Sequence, residues 1–413
     1  MDRRDLDYEV YIGIDVGKSS DYLVALPRDS DEPILEESVR QSEPEIRRAQ
    51  AEASSHGRSV VCVDQCDGFG LFAVRCARSV GLDVVHIPPR SFRRLADAYG
   101  EDKTDPIDAR IIAQACRTAP WLVEPLPERS EVVAEIRVLS QRRAETVRDR
   151  TRRYNGMHAL LQMVSPALEE LFSGNRLHSA LAIDVPAAYG GPNGLRDAGE
   201  QAAAAWASEL PGCGARGPRK VSECFAAIAD ETVTVPAAQI IEREIMREAA
   251  KVRETNEAVS EYDVEIERLC ALAPEVSVLN SVPGIGRAYA AVIVSEVGDV
   301  GRFRSADALA SYASVAPQAE QSGRSSRARK RKGGNRRLKA AMISAARSAS
   351  LHDARSRAYY ERKRGEGKSD MQAIRALARR RVNLIFALLK SGKPYRFEER
   401  SSKRVVLAAP MSA

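Results

Sequence analysis

Residues 8–27, YEVYIGIDVGKSSDYLVALP, decide how the fold is read. An apolar run ends at Asp15, a Gly/Lys/Ser turn follows, and a second run rich in β-formers returns. That is the pattern of a hairpin. After this hairpin, 44–56 reads as a helix, and 59–63 is a strand meeting an acidic turn at Asp64. Residues 71–80 have a helical pattern, and LDVVHIPP (82–89) is a buried-type strand closed by Pro88 and Pro89. The order β-β-α-β-α-β-α predicts an α/β domain over 8–125, with Pro120, Pro125 and Pro127 marking its exit.

Beyond it the pattern becomes helical. Residues 129–172 read as one long charged helix, with Val133, Ile136, Leu139 and Val147 at helical spacing. Residues 237–272 form a similar stretch, and the two suggest an antiparallel hairpin or coiled coil within a middle region of 129–275. Between them, 173–235 is rich in Gly, Pro and Ala and reads as a partly helical insertion of uncertain order. A mostly helical basic domain is expected over 279–393, followed by a frayed tail at 394–413.

The net charge is only +6, from 63 Lys+Arg against 57 Asp+Glu in 413 residues, but its distribution is uneven. The stretch 322–339, SGRSSRARKRKGGNRRLK, holds nine bases (Arg324, Arg327, Arg329, Lys330, Arg331, Lys332, Arg336, Arg337, Lys339) and no acid. Outside it, 54 bases face 57 acids. Such a block usually marks a polyanion contact, although a solvated loop has the same composition. Arg142, Arg143, Arg148, Arg150, Arg152 and Arg153, and then Arg375, Arg379, Arg380 and Arg381, form further clusters able to hold phosphates. With 44% apolar residues, the chain is neither disordered nor collagen-like. No apolar run is long enough for a membrane span, and no signal peptide is evident, so a cytoplasmic protein is expected. Seven scattered cysteines without a CxxC pair read as reduced thiols.

Four carboxylates stand at element ends. Asp15 and Asp64 close strands, while Asp105 and Asp108 lie in KTDPIDARIIA, where Pro106 suits a first helical turn. A spacing of three sets that pair on one helix face. Converging acids of this kind suit two hard cations, which activate an attacking oxygen and stabilise the leaving oxygen of a phosphodiester. Each acid alone also reads as a turn or capping residue. Lys18 and Lys103 suit phosphate contact or plain surface, and Asp67 and Asp102 are less well placed acids. VPGIG (282–286) before an apolar helix resembles a helix-hairpin-helix turn, with the Gly284 and Gly286 amides facing a phosphate. Ser322, beside Gly323 in an Arg-rich surrounding, is a weak nucleophile candidate by residue type, since Ser325 and Ser326 are close by.

Taken in order, YIGIDVGKSSDYLVAL, KTDPIDARIIA, SVPGIGRAYAAVIVSEVGDVGRF, LASYASVAPQAEQSGRSS and KGGNRRLKAAMISAA resemble the DEDD-type bacterial transposases of the insertion-sequence-110 class, bridge-RNA-guided recombinases. The resemblance covers nearly the whole chain. It implies a RuvC-like (RNase H) N-terminal domain whose Asp, Glu, Asp, Asp set binds Mg²⁺, or Mn²⁺ in its place. Those roles fall on Asp15, Asp64, Asp105 and Asp108, with Asp64 departing from the usual Glu. It also implies that Ser322 is a nucleophile linking covalently to DNA. The implied partners are DNA, a structured bridge RNA that chooses sites by base pairing, and further copies of the chain as dimer or tetramer.

Three rival readings remain. A RuvC-like nuclease of the Holliday-junction type would need the acids but not Ser322. An actin-like ATPase is suggested by GIDVGKSS, but the chain has neither a second Asp-Gly phosphate turn nor an adenosine motif. The third is a DNA-binding protein whose acids are inert.

Overall fold

The computed structural model describes residues 7–66, 68–99, 104–126, 130–173, 180–316, 318–322, 325–329 and 334–396. The opening hairpin forms as read: β1 (Val10–Asp15) pairs antiparallel with β2 (Ser20–Pro27), in a register that sets Asp15 opposite Tyr22. A third strand that the sequence did not suggest, β3 (Leu35–Arg40), adds to the outer edge of β2. Its LEESVR sequence buries little beyond Val39, so it carries no apolar signal. On the other side, β4 (Ser59–Val63) runs parallel to β1, β5 (Asp83–His86) runs parallel to β4, and a short β6 (Glu124–Pro125) closes the edge antiparallel. The result is a six-stranded mixed sheet in the order β3-β2-β1-β4-β5-β6.

Four helices complete this α/β domain: α1 (Glu43–Ser54), α2 (Gly70–Ser79), α3 (Pro89–Tyr99) and α4 (Asp105–Thr118). Helices α1 and α2 share one core cluster with Ile12, Ile14, Val61 and Val63. Helix α4 covers the opposite side, where Tyr8, Tyr11, Val60 and Cys62 meet Ile112, Ala115 and Cys116. It lies so close to β1 that a Cβ on Gly13 would stand 2.2 Å from the Ala109 carbonyl and 2.4 Å from the Ala113 nitrogen.

Past the α/β domain, the expected helix over 129–172 is two helices. They are α5 (Glu131–Val164) and α6 (Pro166–Phe172), separated at Ser165, whose hydroxyl caps α6 by accepting from the Leu168 amide at 3.2 Å. Pro166 has no N–H to continue α5, so the break is local chemistry. The stretch read as an insertion is ordered in its described part. It folds as α7 (Leu181–Tyr189), α8 (Pro192–Ala198), α9 (Glu200–Glu209) and α10 (Arg216–Ile228). Their apolar residues complete a core with Met157 and Leu161 of α5 and Ile245, Ala249 and Val252 of α11 (Ala238–Leu272). Arg143 meets Asp263 at 2.5 Å, Arg150 meets Asn256 at 3.0 Å, and Arg153 meets Glu248 at 3.5 Å. Partner numbers fall as α5 advances, so the two long helices are antiparallel.

Helices α12 (Pro274–Asn280), α13 (Arg287–Val297) and α14 (Ala306–Tyr312) lead to a hairpin of β7 (Gln318–Ser322) and β8 (Ser325–Arg329). Helices α15 (Arg336–His352), α16 (Ala354–Gly365) and α17 (Asp370–Ser391) follow. By contacts the chain divides into two compact units. One gathers Met1–Arg129, Val297–Ile343 and Tyr359–Ser391, and the other Ser130–Glu296, Ser344–Ala358 and Gly392–Ala413. None of the seven cysteines forms a disulfide. Among the described residues, no helix is long and apolar enough to cross a membrane.

Candidate nucleic-acid processing site

Asp15 is the last residue of β1, and the parallel register pairs Ile14 with Val63, so its next step sets Asp15 beside Asp64. Neighbouring strands are about 4.8 Å apart, which brings both carboxylates to one edge of the sheet. Helix α4 runs against β1 in the opposite sense: Ile112 and Cys116 cluster with Tyr8 and Tyr11, while Ala109 and Ala113 lie on Gly13. Continuing past Gly13, the first turn of α4 advances toward the Asp15 end of the strand. Asp108 belongs to this turn and is buried, with 6% of its surface exposed, whereas Asp105 is exposed. Three residues span about 300° of helix, so the pair is splayed by about 60°. That angle carries one carboxylate inward and leaves the other in solvent. Among the described residues, no three acidic, His or Cys side chains stand close enough together to enclose one ion.

Asp64 is half-buried. Burial pushes its carboxyl above the usual range, and the Val16 amide, 3.5 Å from Oδ1, works the other way. A residue outside the sequence-based set shares this field. Asp21 of β2 is 2% exposed, and burial pushes its carboxyl up to about 6, with the Asp64 charge adding to the effect. Its Oδ1 accepts from the Gly17 amide at 3.2 Å and from Gln41 Nε2 at 2.5 Å. No hydrogen bond reaches its Oδ2. Gln41 Nε2 also donates to the Gly17 carbonyl at 3.1 Å, and the Gln41 amide donates to Ser19 O at 3.1 Å. The tight turn that presents Lys18 is therefore tied down from beneath, and Lys18 itself is exposed. Only glycine fits at 17, where a Cβ would stand 2.1 Å from the Ser20 carbonyl. The signal for Asp21 was in the sequence: it is an acid in phase with Leu23 and Ala25 on an inward strand face, where a charge has a cost.

Ser322 ends β7, and its partner across the two-stranded hairpin is Ser325, the first residue of β8. The described residues that flank the hairpin in sequence meet each other. The Asn335 amide donates to Tyr312 O at 2.8 Å, Asn335 Nδ2 donates to the Tyr312 hydroxyl at 3.1 Å, and Asn335 Oδ1 accepts from the Leu338 amide at 2.9 Å. Gly334, with φ +82°, sits where a Cβ would strike Ser314 Oγ at 2.1 Å. Arg302 stacks on Phe303 and Tyr312, with 4.4 Å and 4.6 Å to the ring centres. Of the basic run, Arg327 and Arg329 lie on β8, Arg336 is exposed at the start of α15 and Arg337 is half-buried there. Lys103, Arg324, Lys330, Arg331 and Lys332 lie outside the described residues, as do Asp67 and Asp102.

The other basic clusters are paired with acids only in part. Arg142 pairs with Glu145, Arg143 with Asp263, and Arg152 and Arg153 with Asp149, so these α5 arginines brace the helical region. Arg379 pairs with Asp307, and Arg380 stacks on Tyr359 at 4.9 Å. Gly284 has φ +80°, and a Cβ there would meet the Ala349 nitrogen at 2.5 Å, so close helix packing accounts for it without a ligand. Gly286 is exposed with open space around it.

A family model described as transposase matches residues 12–166, and one described as transposase of the IS116/IS110/IS902 family matches 276–361. The 43.6 kDa protein of insertion element IS110 from Streptomyces coelicolor is 34% identical over 98% of this chain and 99% of that protein. The chain belongs to the IS110 family of transposases. The 42 kDa protein of insertion element IS900 from Mycobacterium paratuberculosis is 32% identical over 94% of this chain and 97% of that protein. A pilin gene-inverting protein of Moraxella bovis is 28% identical over 151 residues, 35% of this chain and 47% of that protein. This IS110-family chain is thus a DNA transposase/recombinase, and DNA is its partner.

Proposed function

We propose that this transposase exchanges DNA strands through a phosphoserine link formed by Ser322, assisted by divalent cations held at the carboxylate edge of the sheet. The observation that carries the reading is the meeting of Asp15 and Asp64 at the ends of adjacent parallel strands, with the first turn of α4 directed at the same edge. The strand order around that edge supports a RuvC-like domain. The donor chemistry fits Mg²⁺ or Mn²⁺: every candidate ligand is a carboxylate, and Asp21 Oδ2 is a buried oxygen with no hydrogen bond. Mg²⁺ characteristically takes one or two carboxylates and fills its shell with phosphate oxygens and water, so a protein-only cage is not required. When bound, such an ion neutralises charge developing on the phosphodiester.

The chain's own residues do the rest. Ser322 Oγ gives up its proton as it bonds to phosphorus, and the phosphorus–oxygen bond to the departing DNA hydroxyl breaks as that oxygen gains a proton. Attack by a second DNA hydroxyl on the phosphoserine reverses both changes and joins the exchanged strand. Backbone contacts by the basic run would hold the DNA, and a structured RNA from the element's flank would select the sites by pairing. Chain copies would assemble as a dimer or tetramer.

The test is strand exchange by wild type, Asp15→Ala and Ser322→Ala, with and without RNA transcribed from the element's flank. Both variants are expected to lose exchange by at least about 10³-fold, on the scale of losing a unit of catalytic machinery. Only the wild type and Asp15→Ala retain a serine able to be trapped on DNA. A Ser322→Ala protein that still exchanges strands overturns the phosphoserine step, and a wild type that cuts DNA without rejoining it leaves a hydrolytic nuclease as the better reading.

A further inference from the structure

Phe69, Leu71 and Phe72 are 55%, 53% and 41% exposed, and they are consecutive apart from Gly70. Every other described phenylalanine is buried or half-buried. Single exposed hydrophobes are ordinary, but three grouped at one rim are not. Their position is set by Gly70, which is buried so closely that a Cβ would stand 1.8 Å from the Gln65 carbonyl. The chain leaving Asp64 is thereby folded back on the start of α2, holding the apolar group beside the acidic strand end. Phe69 and Phe72 are three residues apart and share a helix face. Arg75, one turn further along, is exposed, as are Arg93 and Arg94 on α3, the helix that follows β5 from the same edge of the sheet.

We propose that this platform takes the unpaired bases of a DNA strand next to the scissile phosphate, with the guanidiniums holding the adjoining backbone. Aromatic rings stack on any base, and arginines alongside follow the phosphates, which is how single strands are held without sequence preference. A second copy of the chain suits the surface less well. Three side chains of about 150–250 Å² fall short of the roughly 800 Å² per partner in a stable interface. The assignment rests on the reading of the acids as the phosphodiester site.

The experiment uses the intact protein, an oligo-dT of about 15 nucleotides and a duplex of equal length. Phe69→Ala/Phe72→Ala is expected to weaken single-strand binding by about 10- to 100-fold while changing duplex binding by less than about 2-fold. Unchanged single-strand binding, or an equal loss on duplex, overturns the proposal. So does a loss of self-association with DNA binding intact. Should the double variant fail to fold, Phe72→Trp decides: emission quenched by oligo-dT but not by duplex supports stacking, and unquenched emission refutes it. Asp15→Ala run in parallel separates the two readings. Exchange at the wild-type level in that variant removes the phosphodiester assignment, whatever the platform binds.

Discussion

Asp21 is the residue at which burial and charge conflict most openly. Its carboxyl is pushed up to about 6 from an ordinary value of 3.8, so the folded chain holds that proton more tightly than the unfolded chain does. The associated stability is therefore complete below pH ~4 and is lost as pH rises through about 6. Asp21→Asn keeps an oxygen to accept from Gly17 and Gln41 but removes the buried charge. It is expected to raise stability at pH 7 by about 1–3 kcal/mol and to flatten the fall between pH 4 and 7. Urea unfolding at stepped pH measures both. An Asn variant less stable than wild type at pH 7 would show that the carboxylate is compensated within the fold. The four acids of the sequence reading were legible because strand ends and a Pro-led helix start are local features. The burial that separates Asp108 from Asp105 depends on how α4 lies on the sheet, and no spacing rule contains that.

At the scale of elements, the contact between β1 and α4 does most to position the candidate site. Gly13 has no side chain, and α4 occupies that space with its backbone. Gly13→Ala is expected to cost about 1–3 kcal/mol, the range for overpacking a tight contact, because helix backbone cannot give way as a flexible side chain would. The displacement would carry Asp108 with it. Strand exchange should then fall by more than the lost stability accounts for, as measured by activity at a temperature where the variant remains folded. An active, equally stable variant would mean that α4 is not the element setting the site. Apolar runs and breaker residues made β1, β2, β4, β5 and the start of α11 readable. Strand β3 and the hairpin of β7 and β8 were not, since both are polar on most positions and show no apolar alternation. Both are held by backbone pairing, to which side-chain pattern contributes little.

Across the whole molecule, charge is sorted rather than merely balanced. Of the six α5 arginines that looked like a phosphate stripe, Arg142, Arg143, Arg152 and Arg153 pair with Glu145, Asp263, Asp149 and Glu248. We propose the nine-base run, which holds no acid, as the main source of salt-dependent affinity. Replacing Arg329, Lys330, Arg331 and Lys332 by Gln is expected to weaken binding to any DNA alike and to lower the slope of log affinity against log salt by up to about 0.9 per lost phosphate contact. Anisotropy titrations at several salt concentrations test this, and an unchanged slope would move the phosphate contacts elsewhere. The same substitutions in Arg142 and Arg143 should leave the slope nearly as it was, because those groups already have acidic partners.

Four features were legible in the residues alone: the family, the hairpin that opens the α/β domain, the acids at element ends and the run of bases that follows Ser322. Each depends on residue types at short spacing, which the chain carries locally. Folding added which acid is buried, that Asp21 joins the field of Asp64, that Ser322 ends a strand paired with Ser325, and which α5 arginines meet acids. The physical reason is the same throughout. Burial and ion pairing arise from residues far apart in the chain, and a charge acquires its meaning from what folding places beside it.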